Sequence, residues 1–539
     1  MISIILSAKI RYLAMSDFFF SPEGVIPIRG KKSITLSLEC LNKNTKKVYV
    51  AVASENQKLQ DILTKNSSEV TQVLISPEDN TGILNSLNSV LKLCPDKTSV
   101  EILLGDTYFI TDDTNEIDVL YTSSEIKTSN QWCVVSKAKD SFLDNIYNKI
   151  PDIDLRDKEA LIGYYRFSDI DLLKKITSEQ LEYGNSELSF IIQEYNKIIP
   201  IKLNSVSQWF DFGHMHGIVK ARTSLYNSRN FNNLKVDIVT GIITKSSSDK
   251  GKLLNEANWY KSLPEPVLVY APKIISIKED KDTLSLALEL YGYPNLAELY
   301  VYSNSSLEDW CNIIDVVFQV HAQLAGFLVD FNKEDLQQIY VVKTRQRVDR
   351  IKSDNEQIYK LFSSKTLIIN NVEYNNFDQL EGLIQDKIKG LLDIETFSIV
   401  HGDFCFSNIL FDPMHYIVRL IDPRGGFGSQ SIYGDPRYDV AKLRHSVVGL
   451  YDFVQSDLFE LDELGNESFN FKISQPQYYE KLSSYFDQKV VEEGYKLSEI
   501  KLIEALLFLT MIPLHSDNIK RQKAFYLMAI LKLNDVLYE

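Results

Sequence analysis

The reading turns on His401-Gly-Asp403-Phe-Cys-Phe-Ser-Asn408-Ile-Leu-Phe-Asp412-Pro-Met-His415-Tyr-Ile-Val-Arg-Leu-Ile-Asp422-Pro-Arg-Gly425. Two apolar runs, 409–411 and 416–421, flank Asp412-Pro-Met-His, a turn-forming sequence. Paired as a hairpin, they have their centre near residue 415. Asn408 and Asp422 are equidistant from that centre, so they are expected to face each other at the hairpin's open end. Asp403 lies five residues before Asn408, on the loop leading in.

Phosphoryl transfer from a nucleotide needs such an arrangement. Its transition state is loose, so catalysis is mostly positioning and charge neutralisation. Hard oxygen ligands hold Mg²⁺ against the phosphates, which here points to Asn408 and Asp422. A separate carboxylate takes the proton of the attacking alcohol, the role expected of Asp403. Protein kinases show the same D-x-x-x-x-N spacing, with a metal-binding Asp after a hairpin. The alternative is a hairpin carrying ordinary turn carboxylates. His401 is expected to be a structural loop residue, His415 a solvated turn residue and Cys405 a packing residue.

His-Gly-Asp-x-x-x-x-Asn followed by Ile-Asp-Pro-Arg-Gly resembles the aminoglycoside phosphotransferase/choline kinase family, over roughly residues 236–539. The resemblance implies an α+β protein-kinase-like fold, with ATP and Mg²⁺ as cofactors. It assigns Asp403 as base and Asn408 and Asp422 as Mg²⁺ ligands. Gly434-Asp-Pro-Arg-Tyr-Asp-Val-Ala-Lys442 resembles the family's next helix start, with Asp435 and Asp439 as structural caps. Upstream, Ile242-Ile-Thr-Lys245 reads as a strand ending in lysine, and Glu256 follows in a helical segment. Kinases pair such residues to hold the nucleotide phosphates; a surface lysine is the plain alternative. Leu286-Ala-Leu-Glu289-Leu-Tyr291 resembles the hinge that reads the adenine edge through its backbone; otherwise it is a core strand. Met511-Ile-Pro-Leu-His515-Ser-Asp517 is a candidate acceptor lining, through His515 and Asp517, or core packing.

The first ~235 residues alternate β-type runs with helical patterns, as in a largely parallel, helix-covered sheet. Strands are expected at 2–6, 47–53, 100–104, 119–122, 132–136 and 162–167, and a helix at 83–93. Ile102-Leu-Leu-Gly-Asp106 is a buried strand ending in Asp, a position from which a carboxylate can hold Mg²⁺ at a sheet crevice. Pro22-Glu-Gly-Val-Ile-Pro-Ile-Arg-Gly30-Lys, Asn80-Thr-Gly82, 160–167 and Gln208-Trp-Phe-Asp211-Phe-Gly213 follow in order. Together they resemble the sugar-phosphate nucleotidyltransferases. That implies a Rossmann-like α/β domain, a base-contacting turn at Gly82, metal aspartates Asp106 and Asp211, and CTP or another NTP as substrate. Two departures stand out. The phosphate-cradling glycines of the opening loop are absent from Ser7-Ala-Lys9-Ile-Arg11, and Glu23 stands where a lysine is expected. Lys9, Arg11 or Lys31 are the candidates to compensate. Two readings stay open: an active nucleotidyltransferase, or a degenerate domain kept for binding, regulation or assembly. His214 and His216, two apart after Asp211, hint at a metal cluster without a third soft ligand.

The expected organisation is a nucleotidyltransferase-like domain at 1–235, a kinase N-lobe at 236–300, and a C-lobe at 301–539 with acceptor-binding helices. The Asn-rich 229–233 marks the first boundary. Mainly helical stretches are expected at 307–332, 334–362, 376–392, 433–455, 475–490 and 498–538. Composition agrees with a globular protein: 44% hydrophobic and 24% charged over 539 residues. A net charge of −15 argues against a nucleic-acid partner, which needs a basic surface. The five scattered cysteines lack the pattern of a disulfide framework or zinc site, which fits the cytoplasm. The apolar run 505–514 is broken by Pro513 and reads as a buried helix end, not a membrane span. Oligomeric state is unreadable.

The two resemblances imply a kinase that makes a phosphate ester of a sugar, polyol or amino alcohol. A nucleotidyltransferase would then activate it for capsule or other surface glycan synthesis. A non-catalytic protein binding a nucleotide-linked metabolite is the alternative from another class. Phosphorylation of aminoglycosides is a third, which an acidic cleft would favour.

Overall fold

The computed structural model describes residues 1–8, 24–28, 31–43, 45–66, 70–79, 81–111, 116–126, 129–214, 217–218, 220–221, 233–237, 240–303, 305–330, 332–354, 356–394, 396–429, 431–465 and 467–538. Lys9, Arg11, Pro22, Glu23, Gly30, Asn80, His216 and 229–232 lie outside them. The chain divides into two compact units, Met1–Leu225 and Tyr226–Glu539.

The first unit is built on a mixed sheet. Its parallel half runs in the order Val100–Leu104, Ile2–Ser7, Lys47–Ala53, Val70–Ile75. Ile2–Ser7 is buried along its whole length, as a parallel strand covered on both faces must be. Helices Ser33–Glu39, Gln57–Asn66 and Ile83–Leu91 make the crossovers. The last buries Leu84, Leu87, Val90 and Leu91, the apolar stripe its spacing predicts.

The other half differs from the largely parallel expectation. The ten-residue strand Lys158–Phe167 pairs antiparallel with Val100–Leu104, Val119–Ser123 and Cys133–Lys137. Residues 158–160 pair with Cys133–Lys137 and residues 164–167 with Val100–Leu104, while the register with Val119–Ser123 shifts between Leu161 and Tyr165, around Gly163. Gly163 has φ +86°, and a Cβ there would sit 2.8 Å from Leu104 Cδ1. A separate two-stranded ladder, Thr107–Ile110 with Gln208–Asp211, branches off just past Asp106.

The second unit begins with a four-stranded antiparallel sheet in the order Asn233–Asp237, Ile242–Ser247, Leu284–Glu289, Ile274–Glu279. Helix Lys250–Ser262 packs on it. The remainder is mainly helical, with long helices Leu307–Ala325, Leu497–Met511 and Ile519–Tyr538. Two hairpins, Thr366–Ile369 with Val372–Asn375 and Phe459–Gly465 with Ser468–Ile473, join into a further sheet where no strands are expected. Among the described residues, no helix is long and apolar enough to cross a membrane.

Candidate active site

Strand Thr396–Ile399 delivers the chain into the loop at His401. The loop is pinned from below. Asp439, buried in helix Pro436–Val447, accepts N–H bonds from His401 (2.6 Å) and Gly402 (2.8 Å). Burial pushes the Asp439 carboxyl up to about 7 despite those two donors. Gly402 has φ +78°, and a Cβ there would come within 2.2 Å of the Phe427 ring. The Trp259 indole donates to the Val400 carbonyl at 2.8 Å. Asp435 caps the helix through the Arg437 N–H and also accepts from Tyr340 (2.8 Å) and the Arg437 side chain.

The Asp403 carboxylate is shared between two neighbours. Its Oδ1 meets Lys442 Nζ at 2.8 Å, and its Oδ2 accepts from Asn408 Nδ2 at 3.0 Å. Burial works to raise its pKa, but the Lys442 charge wins and holds it well below the usual carboxylate range. Asn408 Nδ2 also bonds the Asp403 carbonyl (2.9 Å), which fixes the amide with its oxygen on the other side. The hairpin forms from Ile409–Asp412 and Ile417–Leu420. Ile409 pairs with Leu420, so the centre falls between residues 414 and 415. Asn408 therefore opposes Ile421, whose N–H bonds the Asn408 carbonyl at 3.0 Å, and Asp422 is one step beyond. Asp422 has φ +56°, a turn that releases its side chain from the ladder.

A second chain of contacts approaches Asp422 from the small sheet. Lys245 Nζ meets Glu256 Oε1 at 2.6 Å and also bonds Asp422 Oδ1. Burial disfavours the Lys245 charge, but the two carboxylates outweigh it and keep the lysine protonated. Tyr260 donates to Glu256 (3.3 Å) and accepts from the Asp422 N–H (3.2 Å). Lys245, Glu256 and Asp422 thus form one charged cluster, with Asp403 and Asn408 at the other end of the same hairpin mouth.

Glu289 closes strand Leu284–Glu289, and Tyr291 donates to its carboxylate at 2.8 Å. Tyr291 stacks on Tyr293 with ring centroids 5.7 Å apart, under the Arg419 guanidinium at 5.1 Å. The N–H groups of Glu289 and Leu290 bond Lys273 and Gly241 carbonyls. His515 is buried, its ring 4.7 Å from that of Phe525 and its Nε2 3.4 Å from the Tyr451 hydroxyl. Asp517 is exposed and meets Arg521 at 3.6 Å.

Sequence reasoning missed the role of Lys442. It ends the quoted Gly434–Lys442 stretch and lies three residues after Asp439. That spacing sets both on one helix face, so the signal was present. The helix Lys343–Asp354 falls within the expected helical stretch 334–362, but the placement of its Lys343 and Arg347, and of Arg424, beside this site was missed too.

In the first unit, Thr107 pairs with Asp211, and the Phe212 N–H bonds the Asp106 carbonyl at 2.6 Å. A Cβ on Gly213 would lie 2.8 Å from Asp106 Oδ2 and 3.1 Å from Asp211 Oδ1, so both carboxylates converge on that glycine. Asp211 Oδ2 also meets His214 Nδ1 at 2.5 Å, with Trp132 edge-on to the imidazole. Among the described residues, no group of three or more His, Cys, Asp or Glu is placed to hold a metal ion. Gly82 precedes helix Ile83–Leu91, and a Cβ there would meet Ser186 Cβ at 2.7 Å. Lys31 pairs with Glu39 at 2.7 Å.

No protein-family model matches the chain. Over 245 residues, 44% of the chain, it is 25% identical to the bifunctional protein GlmU of Methanococcus maripaludis strain C7. The chain spans about half the length of the curated relatives it matches. Among solved structures, HddC from Yersinia pseudotuberculosis aligns at 16% identity and TM-score 0.32, covering 42% of this chain and 99% of its own. A thermostable mutant of aminoglycoside phosphotransferase APH(4)-Ia aligns at 13% identity and TM-score 0.39, covering 58% and 93%. The N-terminal part is nucleotidyltransferase-like and α/β; the C-terminal part is aminoglycoside-phosphotransferase-like and α+β.

Proposed function

We propose that the C-terminal unit phosphorylates a hydroxyl group of a small molecule, using ATP and Mg²⁺. The observation that carries this is the pair of contact sets that meet at the hairpin mouth. They run from Lys245 through Asp422 on one side and from Asn408 through Asp403 to Lys442 on the other. Lys245, held by Glu256, would grip the nucleotide phosphates, and the adenine would be read at or beyond Tyr291, after Glu289. The acceptor oxygen attacks the γ-phosphorus, the bond to the bridging oxygen of ADP breaks, and the hydroxyl proton passes to Asp403. Lys442 keeps Asp403 ionised and ready to accept it.

The residues fit a magnesium ion. The Asn408 amide oxygen and the Asp422 carboxylate are hard donors, and Mg²⁺ takes few protein ligands beside phosphates. When bound, the ion would neutralise phosphate charge. Incubation of the full chain with MgATP and a small-metabolite pool, with mass spectrometry of the products, is expected to give one new phosphate ester and ADP. EDTA should stop both. Phosphorylation that persists in EDTA would remove Asn408 and Asp422 as metal ligands.

For the N-terminal unit we propose nucleotidyl transfer, coupling CTP or another NTP to a phosphate ester and releasing pyrophosphate. Asp106 and Asp211 would hold Mg²⁺, and Gly82 would border the base. Their convergence on Gly213 supports this reading. Supply of activated units for capsule or other surface glycans, in the cytoplasm, belongs to the same proposal. A second reading, a unit that binds nucleotides without turnover, is favoured by Glu23 in place of a lysine. Pyrophosphate released from an NTP with the kinase product is the expected result. No release with any of the four common NTPs selects the second reading.

A further inference from the structure

The Lys442 side of Asp403 carries more positive charge than the base needs. Tyr438, one turn before Lys442 on the same helix face, has the Arg424 guanidinium 5.5 Å from its ring centroid. Arg424 also lies over Phe427 at 5.4 Å. Lys343 and Tyr438 also border a void of about 20 Å³, the size of one water, which Arg347 and Arg424 do not line. Lys343 opens helix Lys343–Asp354, and Arg347 follows one turn later on the same face. A π-helical turn, Gln338–Val342, immediately precedes this helix and sets its phase; such turns recur at functional sites.

The cations have few partners. Among the described residues, no carboxylate lies in ion-pair contact with Lys343, Arg347 or Arg424; Asp403 is taken by Lys442. Arg347 Nη1 is buried without a hydrogen-bond partner. Buried polar groups are normally satisfied, so this one calls for an acceptor. The other groups facing the cluster are Asp439, already used by two backbone N–H groups, and Tyr438. Burial disfavours a charged Tyr438, yet Arg424, Lys343 and Lys442 pull its hydroxyl down to about 8. Lys343 is itself pushed down to about 8, first by burial and further by the neighbouring Arg424, Lys442 and Arg347 charges. This cluster of cations, with Arg347 Nη1 still lacking an acceptor, therefore stabilises negative charge beside it.

Building on the kinase reading above, we infer that the acceptor is an anionic alcohol, a hydroxyl compound that already bears a phosphate or carboxylate. Lys343, Arg347 and Arg424 would hold that group while the hydroxyl faces Asp403. A polycationic aminoglycoside or a choline headgroup would meet like charge here, which disfavours both by repulsion.

The test is calorimetric titration of the full chain, saturated with Mg²⁺ and a non-hydrolysable ATP analogue. Glucose, glucose 6-phosphate, glucuronate, inorganic phosphate and choline are the probes. At least one anionic probe should bind at least about tenfold tighter than glucose, with choline weakest. Glucose 6-phosphate against glucuronate separates phosphate from carboxylate. Arg347→Glu should abolish the preference; Arg347→Gln, which keeps most of the volume, should reduce it if the reversal fails to fold. Equal binding of charged and neutral probes, tighter binding of choline, or full preference in both folded variants would overturn the inference. Failure of the ATP analogue itself to bind in the first titration would sink the kinase reading instead.

Discussion

Asp403→Asn is expected to lower kcat by about 10²- to 10⁴-fold, the usual contribution of a general base. The substitution keeps shape and removes only the ability to take a proton. Lys442 loses its ion pair, and the Asn408 amide meets another amide in place of a carboxylate. Neither Asp403 oxygen touches Lys245 or Glu256, so KM for ATP should change little. That split between kcat and KM separates loss of the base from general damage, and thermal melting checks the fold. The pH dependence has a definite sign. The ionised carboxylate is the active form, and its pKa is depressed by Lys442. Activity should therefore persist on the acid side to below the ordinary Asp value of about 3.9, provided the fold survives. Turnover within threefold of the wild type in Asp403→Asn would remove this residue from the mechanism.

Glu504→Leu should cost the second unit about 3–5 kcal/mol of stability, the range for breaking a buried ion network at one member. Glu504 is fully buried in helix Leu497–Met511. It pairs with Arg444 and, at 2.7 Å, with Lys532, while Arg444 also grips Asp487 at 2.8 Å. Leucine fills the space but leaves Lys532 buried without its partner. Burial works to raise the Glu504 pKa, and the two cations hold it below normal. Its contribution is thus present above the unfolded pKa of about 4.3 and lost as pH falls through the folded value. Urea unfolding of wild type and variant at pH 7 measures the difference. The triple change Glu504→Leu, Arg444→Met, Lys532→Leu should recover much of it. A single variant as stable as wild type would show that the network contributes nothing.

What could be read from sequence follows distance along the chain. The Asp403–Asn408 contact lies within one short loop, and a turn signal fixed the hairpin that brings Asp422 to its mouth. Lys245 and Glu256 are joined by a strand-to-helix step of eleven residues, again local. The cationic side of Asp403 was hidden because its members come from separate elements. Lys343 and Arg347 sit in Lys-Thr-Arg-Gln-Arg-Val-Asp-Arg, which looks like a solvated helix, and Tyr438 is far away in sequence. The fold shows the same division. The parallel strands at 2–6, 47–53 and 100–104 announced themselves as apolar runs, whereas Val70–Ile75, broken by Thr71 and Gln72, and the pair Thr366–Ile369 with Val372–Asn375 did not. Its strands are four residues each, but Asn370 and Asn371 both have positive φ (53° and 65°), and an Asn pair is a hairpin signal that was there to be read. In the antiparallel half of the first sheet, the register shift at Gly163 is a tertiary adjustment that alternation alone cannot reveal.

The indole of Trp259 has a mechanical consequence. It ties helix Lys250–Ser262 to the carbonyl just before His401, and Gly425 backs so closely onto Asn255 that a Cβ would lie 1.9 Å from its carbonyl oxygen. In protein kinases the helix bearing the paired glutamate is a common point of control, because it swings away from the lysine. Here that helix is fastened to the loop that carries Asp403. Rotating the helix to part Lys245 from Glu256 would break this hydrogen bond and disturb the close contact at Gly425. In the kinase proposed above, this junction would favour the assembled Lys245–Glu256 pair before any substrate arrives.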